Sequence, residues 1–310
     1  MAPTAHRDEP NGAEIMLSRS LFTTAAVVLA VTITVASVRP PTARAGSPPC
    51  RVVNARTEER YTGYGVNLQR AIDDAERRDR LIVQGMCAGS FTVERPLTLA
   101  GRPNQRFPTP TLDAKGNGHV LEISRGARIR SLRITGGRAT SGGGIRLLVG
   151  RLVLEGKTAI VGNRASSGGG ISTGEEGRLV LGGHATVRGN VSKFGGGISN
   201  IPGSMLMKGR SAVLGNRARD TGGGIVLNVG SLTMADRASI RLNIARDFGG
   251  GIANLDGFVK LRDAARIVHN SAGREGGGVY NYFSQMLVCS PHVVLSPNDP
   301  DDAPDIEVGC

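Results

Sequence analysis

The chain has 310 residues, a formal net charge of +12, 45 glycines, no tryptophan and only 4% aromatic residues. So few rings leave no stacking platform for unpaired bases, and no groove-binding motif is present, which excludes a nucleic-acid partner. Of 38 basic residues only five are lysine. That arginine excess fits either affinity for anionic polymers, such as uronate polysaccharides or teichoic acids, or the codon usage of a GC-rich genome.

In chain order, the first element is the apolar run LFTTAAVVLAVTITVASV, Leu21 to Val38, which follows Arg19 and leads into Ala43-Arg44-Ala45. A short basic n-region, an apolar core and an A-x-A site predict a secretory signal peptide over 1–45, for which Met16 is the more ordinary start. The alternative is an uncleaved anchor, because about 18 apolar residues just suffice to span a bilayer. Cleavage leaves 46–310, with no further membrane span, as a secreted, extracellular or cell-surface protein, expected to be a monomer. Residues 1–45 carry four arginines and three acids, so the remainder has a charge of +11. All four cysteines lie in this part, and an even number in an exported chain predicts two disulfides. The expected pairing is Cys50–Cys87 and Cys289–Cys310, one at each end of the repeat array.

Residues 46–80 are expected to form an N-terminal cap. Asn67 stands where it can N-cap a helix whose Leu68, Ala71, Ile72 and Ala75 share one face. Such a helix would cover the first coil of the array, whose strand edges would otherwise be unpaired. Leu81 to Gly101 and Thr111 to Gly137 then supply two or three irregular coils.

From there the chain is periodic. The residue after each glycine triplet falls at Ile145, Ile171, Ile198, Ile225, Ile252 and Val279, in steps of 26 and then 27. Asn163, Asn190, Asn216, Asn243 and Asn270 keep the same step, each preceded three positions earlier by Ile or Val. Leu152/Leu154, Leu179/Leu181, Met205/Met207, Leu232/Met234 and Val259/Leu261 add alternating apolar pairs. Each unit therefore offers three short strands, L-x-L, A-x-I-x-G-N and G-I-x-N. Two helices per unit are excluded, since three consecutive glycines would cost a helix roughly 3 kcal/mol. The leucine-rich pattern is absent too. What remains is a solenoid, an all-β parallel β-helix over 81–296 with three strands per 27-residue coil. Its asparagines stack as a ladder at a tight turn, where Asn tolerates left-handed geometry. The segment 297–310 reads as an acidic, proline-rich tail. Its Asp299, Asp301, Asp302 and Asp305 either bind a cation or simply face water.

The succession N-L-Q-x-A-I-x-x-A, G-x-C-x-G-x-F-T, T-L-D-A-x-G-x-G-x-V-L and iterated G-N-x-A-x(3–4)-G-G-G-I-x-N resembles the exported right-handed β-helix proteins of actinomycete type. Its repeats are similar to those of chlamydial polymorphic outer membrane proteins, and the resemblance implies the pectate-lyase-like fold over about residues 65 to 296. Chlamydial repeats carry GGAI where this chain has a glycine triplet, and the calcium-binding nonapeptide is missing, so neither an autotransporter nor a calcium roll is expected. This fold carries lyases, hydrolases, adhesins and proteins without activity, so it leaves function to the sites.

Two positions preceding the triplet, the column Ser166, Lys193, Asp220, Asp247, Arg274 reads as a solvent-facing ion ladder, with Arg219 and Arg246 beside it. Asp220 and Asp247, about 5 Å apart on neighbouring coils, are also the candidate catalytic carboxylates, since close like charges can raise one pKa or cleave glycosidic bonds with retention. Uronate lyases of the resembling class use a calcium-binding acidic cluster and an arginine base, for which Arg219 or Arg246 would stand. Calcium enters only under that alternative; otherwise no cofactor or metal is expected. Lys157, His184, Arg210 and Arg237 form a basic column suited to an anionic ligand or to a solvated turn. The other histidines, His119, His269 and His292, occur singly. The expectation for function is an exported, non-catalytic scaffold presenting a rigid face to anionic polysaccharide or cell-wall polymer. The alternative is a polysaccharide lyase or glycoside hydrolase.

Overall fold

The computed structural model describes residues 50–63, 67–105, 107–282, 285–288, 290–300 and 307–308. The apolar run 21–38, Cys289, Cys310, Asp301, Asp302 and Asp305 lie outside the described residues. Within them the chain winds a parallel β-solenoid of about seven turns, and no helix is long and apolar enough to cross a membrane.

Three sheets run along the axis, but their composition differs from the sequence expectation. The G-I-x-N and L-x-L strands belong to one long sheet. They are continuous in Ile145–Glu155 and Ile171–Leu181, and are split by a corner in later coils, as in Ile198–Asn200 and Gly203–Met207. The A-x-I strands form the second sheet, from Met86–Ala88 to Arg266–Val268. The third sheet is built from the residues just after the asparagine, such as Arg217–Ala218 and Ile244–Ala245. Those pieces are too short to show alternation, which is why periodicity missed them.

Strict register stacks like on like. Ile145 pairs Ile171, which pairs Ile198, then Ile225, Ile252 and Val279. All of these are buried, as are Leu152, Leu179, Met205, Leu232 and Val259 of the neighbouring column and Ile160, Val187, Val213, Ile240 and Ile267 of the second sheet. Each fully buried aliphatic side chain contributes about 1.5–3 kcal/mol. This cylinder of apolar columns is the core.

The asparagine ladder forms as expected and is at most 1% exposed from Asn163 to Asn270. Asn190 shows the pattern. Its Nδ2 donates to Asn216 Oδ1 on the next coil and to the Ile160 carbonyl on the previous one, each at 3.0 Å, while its backbone N–H donates to the same Asn216 Oδ1. The left-handed conformation falls on the preceding residue and not on the asparagine: Gly162, Gly189 and Gly215, then Leu242 and His269, at φ between 56° and 68°. A sixth rung comes from Asn298, whose Oδ1 accepts the Asn270 N–H at 3.0 Å. Asp299 and Pro300 also bond to this coil, through Ala272 N–H to Asp299 O at 2.8 Å and Gly277 N–H to Pro300 O at 2.9 Å. The solenoid thus extends past residue 296 to 300, into the segment that composition assigned to the tail.

The glycine triplets carry two distinct constraints. The first glycine is left-handed, as at Gly222, φ 72°. The other two permit close approach of coils: a Cβ on Gly223 would lie 2.4 Å from the Gly250 carbonyl oxygen, and one on Gly224 2.5 Å from that of Gly251.

At the N-terminus, Asn67 begins the helix Asn67–Asp74, which buries Leu68, Ala71 and Ile72. The cap also contains an antiparallel element that the sequence did not announce: Cys50–Asn54 pairs with Arg60–Gly63 on one side and Arg80–Gln84 on the other. Cys50 and Cys87 form the expected disulfide. Asp79 ties the cap together at 4% exposure. It accepts from Arg56 Nε at 2.6 Å, Asn54 Nδ2 at 2.8 Å and the Glu76 N–H at 3.0 Å. The Arg56 guanidinium, followed by these other donors, holds the Asp79 carboxyl well below the usual range.

Replacing Asn216 by Leu strands the buried N–H and amide donors of Asn190, at about 1–3 kcal/mol each; urea unfolding is expected to show a loss of at least ~2 kcal/mol, and an unchanged midpoint would count against the ladder. Because Asp79 titrates lower when folded than when unfolded, its contribution is present above the ordinary aspartate value of about 3.9 and lost as pH falls through the folded value. Asp79→Asn should therefore melt below the parent at neutral pH, with the gap closing under acid; a gap independent of pH would contradict this account.

Candidate functional site

The third sheet sends alternate side chains in opposite directions. The residue after the ladder position faces outward: Arg138, Arg164, Val191, Arg217, Ile244 and Ser271 lie in register. The next residue turns inward and is small, with Ala218, Ala245 and Ala272 forming their own buried cluster. Small side chains are required because the corner folds back over the following strand; a Cβ on Gly222 would already meet the Val226 side chain at 2.3 Å. Polar chains at the corner therefore point to solvent.

This geometry makes a trough of about 550 Å³, lined among others by Arg138, Arg164, Lys193, Arg219, Arg246, Asp220 and Asp247. All four catalytic candidates meet here. The expected charge column is real: Asp220 N–H bonds to Lys193 O at 3.1 Å, Asp247 N–H to Asp220 O at 3.0 Å, and Arg274 N–H to Asp247 O at 2.9 Å. One of its two opposite-charge contacts forms, Arg274 Nε to Asp247 Oδ1 at 3.2 Å. Lys193 does not pair with Asp220 but lies over the Phe194 ring, Nζ 4.8 Å from its centre. Asp220 Oδ1 instead accepts the Thr221 hydroxyl at 2.8 Å.

Both carboxylates thus have a partner of their own, while five cations line the same space. Coulomb repulsion among cations on adjacent coils is relieved only by solvent, salt or a bound anion. Next to Asp247 in sequence, Phe248 packs against Tyr280 at 4.7 Å between ring centres, with the Arg274 guanidinium 5.6 Å from the Phe248 ring. Burial, and then the charge of Glu275, raise the Tyr280 hydroxyl above its usual value. Among the described residues, no group of three or more His, Cys, Asp or Glu side chains is placed to hold a metal ion.

The other basic column is stacked as expected, with His184 N–H on Gly156 O, Arg210 N–H on Gly183 O and Arg237 N–H on Gly209 O. It is not purely basic, however. Asp236 and Asp263 occupy the left-handed positions of the same corner, at φ 56° and 54°. Their carboxylates accept the Gly209 N–H at 2.7 Å and the Asp236 N–H at 2.9 Å. Two carboxylates thus stand beside Arg210 and Arg237, so the net charge of that half is balanced. The cause is local: aspartate tolerates this backbone conformation and caps it with its own side chain.

The sequence reading missed Arg138 and Arg164, which supply the N-terminal end of the trough. Their signal was present one residue after the ladder column, but without the third sheet their direction could not be assigned. The histidines do not line the trough; His119, for example, bonds through Nδ1 to the Gly142 carbonyl at 3.1 Å. Compared with known protein families, curated proteins and solved structures, the chain matches none.

Proposed function

We propose that this chain is an exported, non-catalytic β-helix scaffold that binds an anionic polysaccharide along the trough of its third sheet. The carrying observation is the imbalance of the lining, Arg138, Arg164, Lys193, Arg219 and Arg246 against Asp220 and Asp247, with Asp247 already neutralised by Arg274. Cationic columns repeated at the coil spacing, about 4.8 Å, suit a polymer with regularly spaced charges lying along the axis. The Cys50–Cys87 disulfide supports an oxidising compartment, hence export. The resemblance to exported right-handed β-helices of the pectate-lyase-like class points the same way, and by that resemblance the ligand is a cell-surface or extracellular polymer.

The lyase or hydrolase reading rests on Asp220 and Asp247 occupying adjacent rungs. Their separate partners, Thr221 and Arg274, favour a structural role for both.

A uronate polymer is expected to bind more tightly than a neutral glucan in titration calorimetry, and the affinity should fall as salt is raised. Reversing two charges, Arg164→Glu with Arg246→Glu, should weaken uronate binding about tenfold or more, as removal of well-placed rim charges does; equal binding of neutral and anionic polymers would overturn the proposal. Mass spectrometry of the same incubations, with and without calcium, should find no released oligosaccharide. Fragments that vanish in Asp220→Ala or Asp247→Ala would make the trough an active site instead.

A further inference from the structure

A second surface lies on a different corner, between the two halves of the long sheet. Eight large apolar side chains are exposed among the described residues, and five of them, Val149, Ile201, Val229, Phe258 and Tyr282, sit on or beside this corner. Backbone bonds stack it coil on coil, Asn228 N–H to Asn200 O, Leu255 N–H to Leu227 O and Tyr282 N–H to Asn254 O. Val229 is 55% exposed and adopts φ 51°, a conformation that a β-branched residue enters only at a cost. Among the described residues nothing covers its side chain. Beside the corner, the outward face of the sheet forms a groove of about 480 Å³ whose floor includes Val180 and Leu206. A ridge and a receiving groove therefore run side by side.

Charges along this surface have two-fold order. Glu175 and Glu176 lie on the corner of the Ile171 coil, with Arg178 on the adjoining face; Asp256 lies on the corner of the Ile252 coil, with Lys260 on the face. Between them are the coils of Ile198 and Ile225, tipped by Ile201 and Val229, and beyond them those of Ile145 and Val279, tipped by Val149 and Tyr282. A two-fold axis between the Ile198 and Ile225 coils exchanges these coils in pairs, with the corner acids about 7 Å to either side of it; Arg178 and Lys260 stand two residues apart in strand register, and Arg151 and Arg262 add to the cations that line the groove. None of Glu175, Glu176, Arg178, Asp256 and Lys260 has an ion-pair partner among the described residues.

We propose that this corner is the interface of a two-fold dimer of the chain, each copy laying its ridge in the groove of the other. An isologous interface must be self-complementary. Here Glu175 and Glu176 of one copy meet Lys260 of its partner, Asp256 meets Arg178, and Ile201 and Val229 settle over Leu206 and Thr233. Rigid presentation of two antiparallel troughs would follow, but the dimer does not depend on what the trough binds.

The test is sedimentation equilibrium of the purified chain over a wide concentration range. A reversible dimer is expected, and Val229→Asp should raise its Kd about tenfold or more, as for a central apolar anchor. Lys260→Glu alone, and Glu175→Lys with Glu176→Lys alone, should each impair self-association, because each homodimer then opposes like charges. Mixed in equal amounts, the two variants should associate as a heterodimer in which every contact is again opposite in sign. A monomer at all concentrations, or a mixture that fails to associate, overturns the proposal. So does a dimer that is insensitive to Val229→Asp but lost in Arg164→Glu with Arg246→Glu. Uronate binding measured on the same variants should be unchanged, which separates failure of the interface from failure of the trough reading.

Discussion

The side-chain amide of each ladder asparagine joins three successive coils, and the solenoid depends on that bond. Asn190 donates backward to Ile160 O and forward to Asn216 Oδ1, so its donors are used completely and its neighbour's acceptor twice over. A buried amide with one bond missing would cost about as much as a buried aliphatic contact contributes. The ladder thus leaves little freedom to slide one coil against the next. Once the register is fixed, every outward column is fixed with it, including the arginines of the third sheet and the apolar tips of the opposite corner.

Corners decide which residues are available for binding. Where the chain folds back tightly, at the glycine triplet, the interior admits only small residues, glycine, alanine and Ser192, and the charged residues preceding the triplet are driven outward. At the corner ahead of the second sheet, a left-handed position is filled by Ser131, then by glycine, then by Asp236 and Asp263, and the aspartates bond to the backbone of the previous coil. Two basic columns of similar appearance thereby acquire different character. One is interleaved with carboxylates that answer a backbone demand, whereas the other keeps an excess of cations.

The two surfaces have different physical signatures. The trough is polar and cationic, suited to a ligand that supplies negative charge and tolerates water. The ridge is apolar at its centre with acids along the corner and cations in the adjoining groove, which suits a partner that repeats its own pattern. Strain also distinguishes them: Leu242 and His269 take left-handed geometry because the ladder turn requires it, as glycine does in earlier coils, while Val229 does so on a corner whose other coils are not left-handed at the matching valine or acidic positions.

Much of this was legible in the sequence. A 27-residue recurrence of Ile, Asn and the glycine triplet is incompatible with helices, and stacked strands were its only economical solution; the cap helix and the Cys50–Cys87 bond could be read from local pattern and compartment. Four members of the trough, Arg219, Asp220, Arg246 and Asp247, were also visible as neighbouring columns. What the sequence could not give was direction. A two-residue strand shows no alternation, so Arg138 and Arg164 could not be assigned to the surface that Arg219 and Arg246 share. Asn298 could not be recognised as a rung because the acidic, proline-rich residues around it masked the repeat. Nor could spacing say whether Asp247 faces Asp220 or Arg274, because equal 27-residue steps put both on neighbouring coils and leave the choice to the side-chain conformation. Periodicity is a property of the chain and determined the fold; the pairing of charges across coils is a property of distance, and only the tertiary structure decided it.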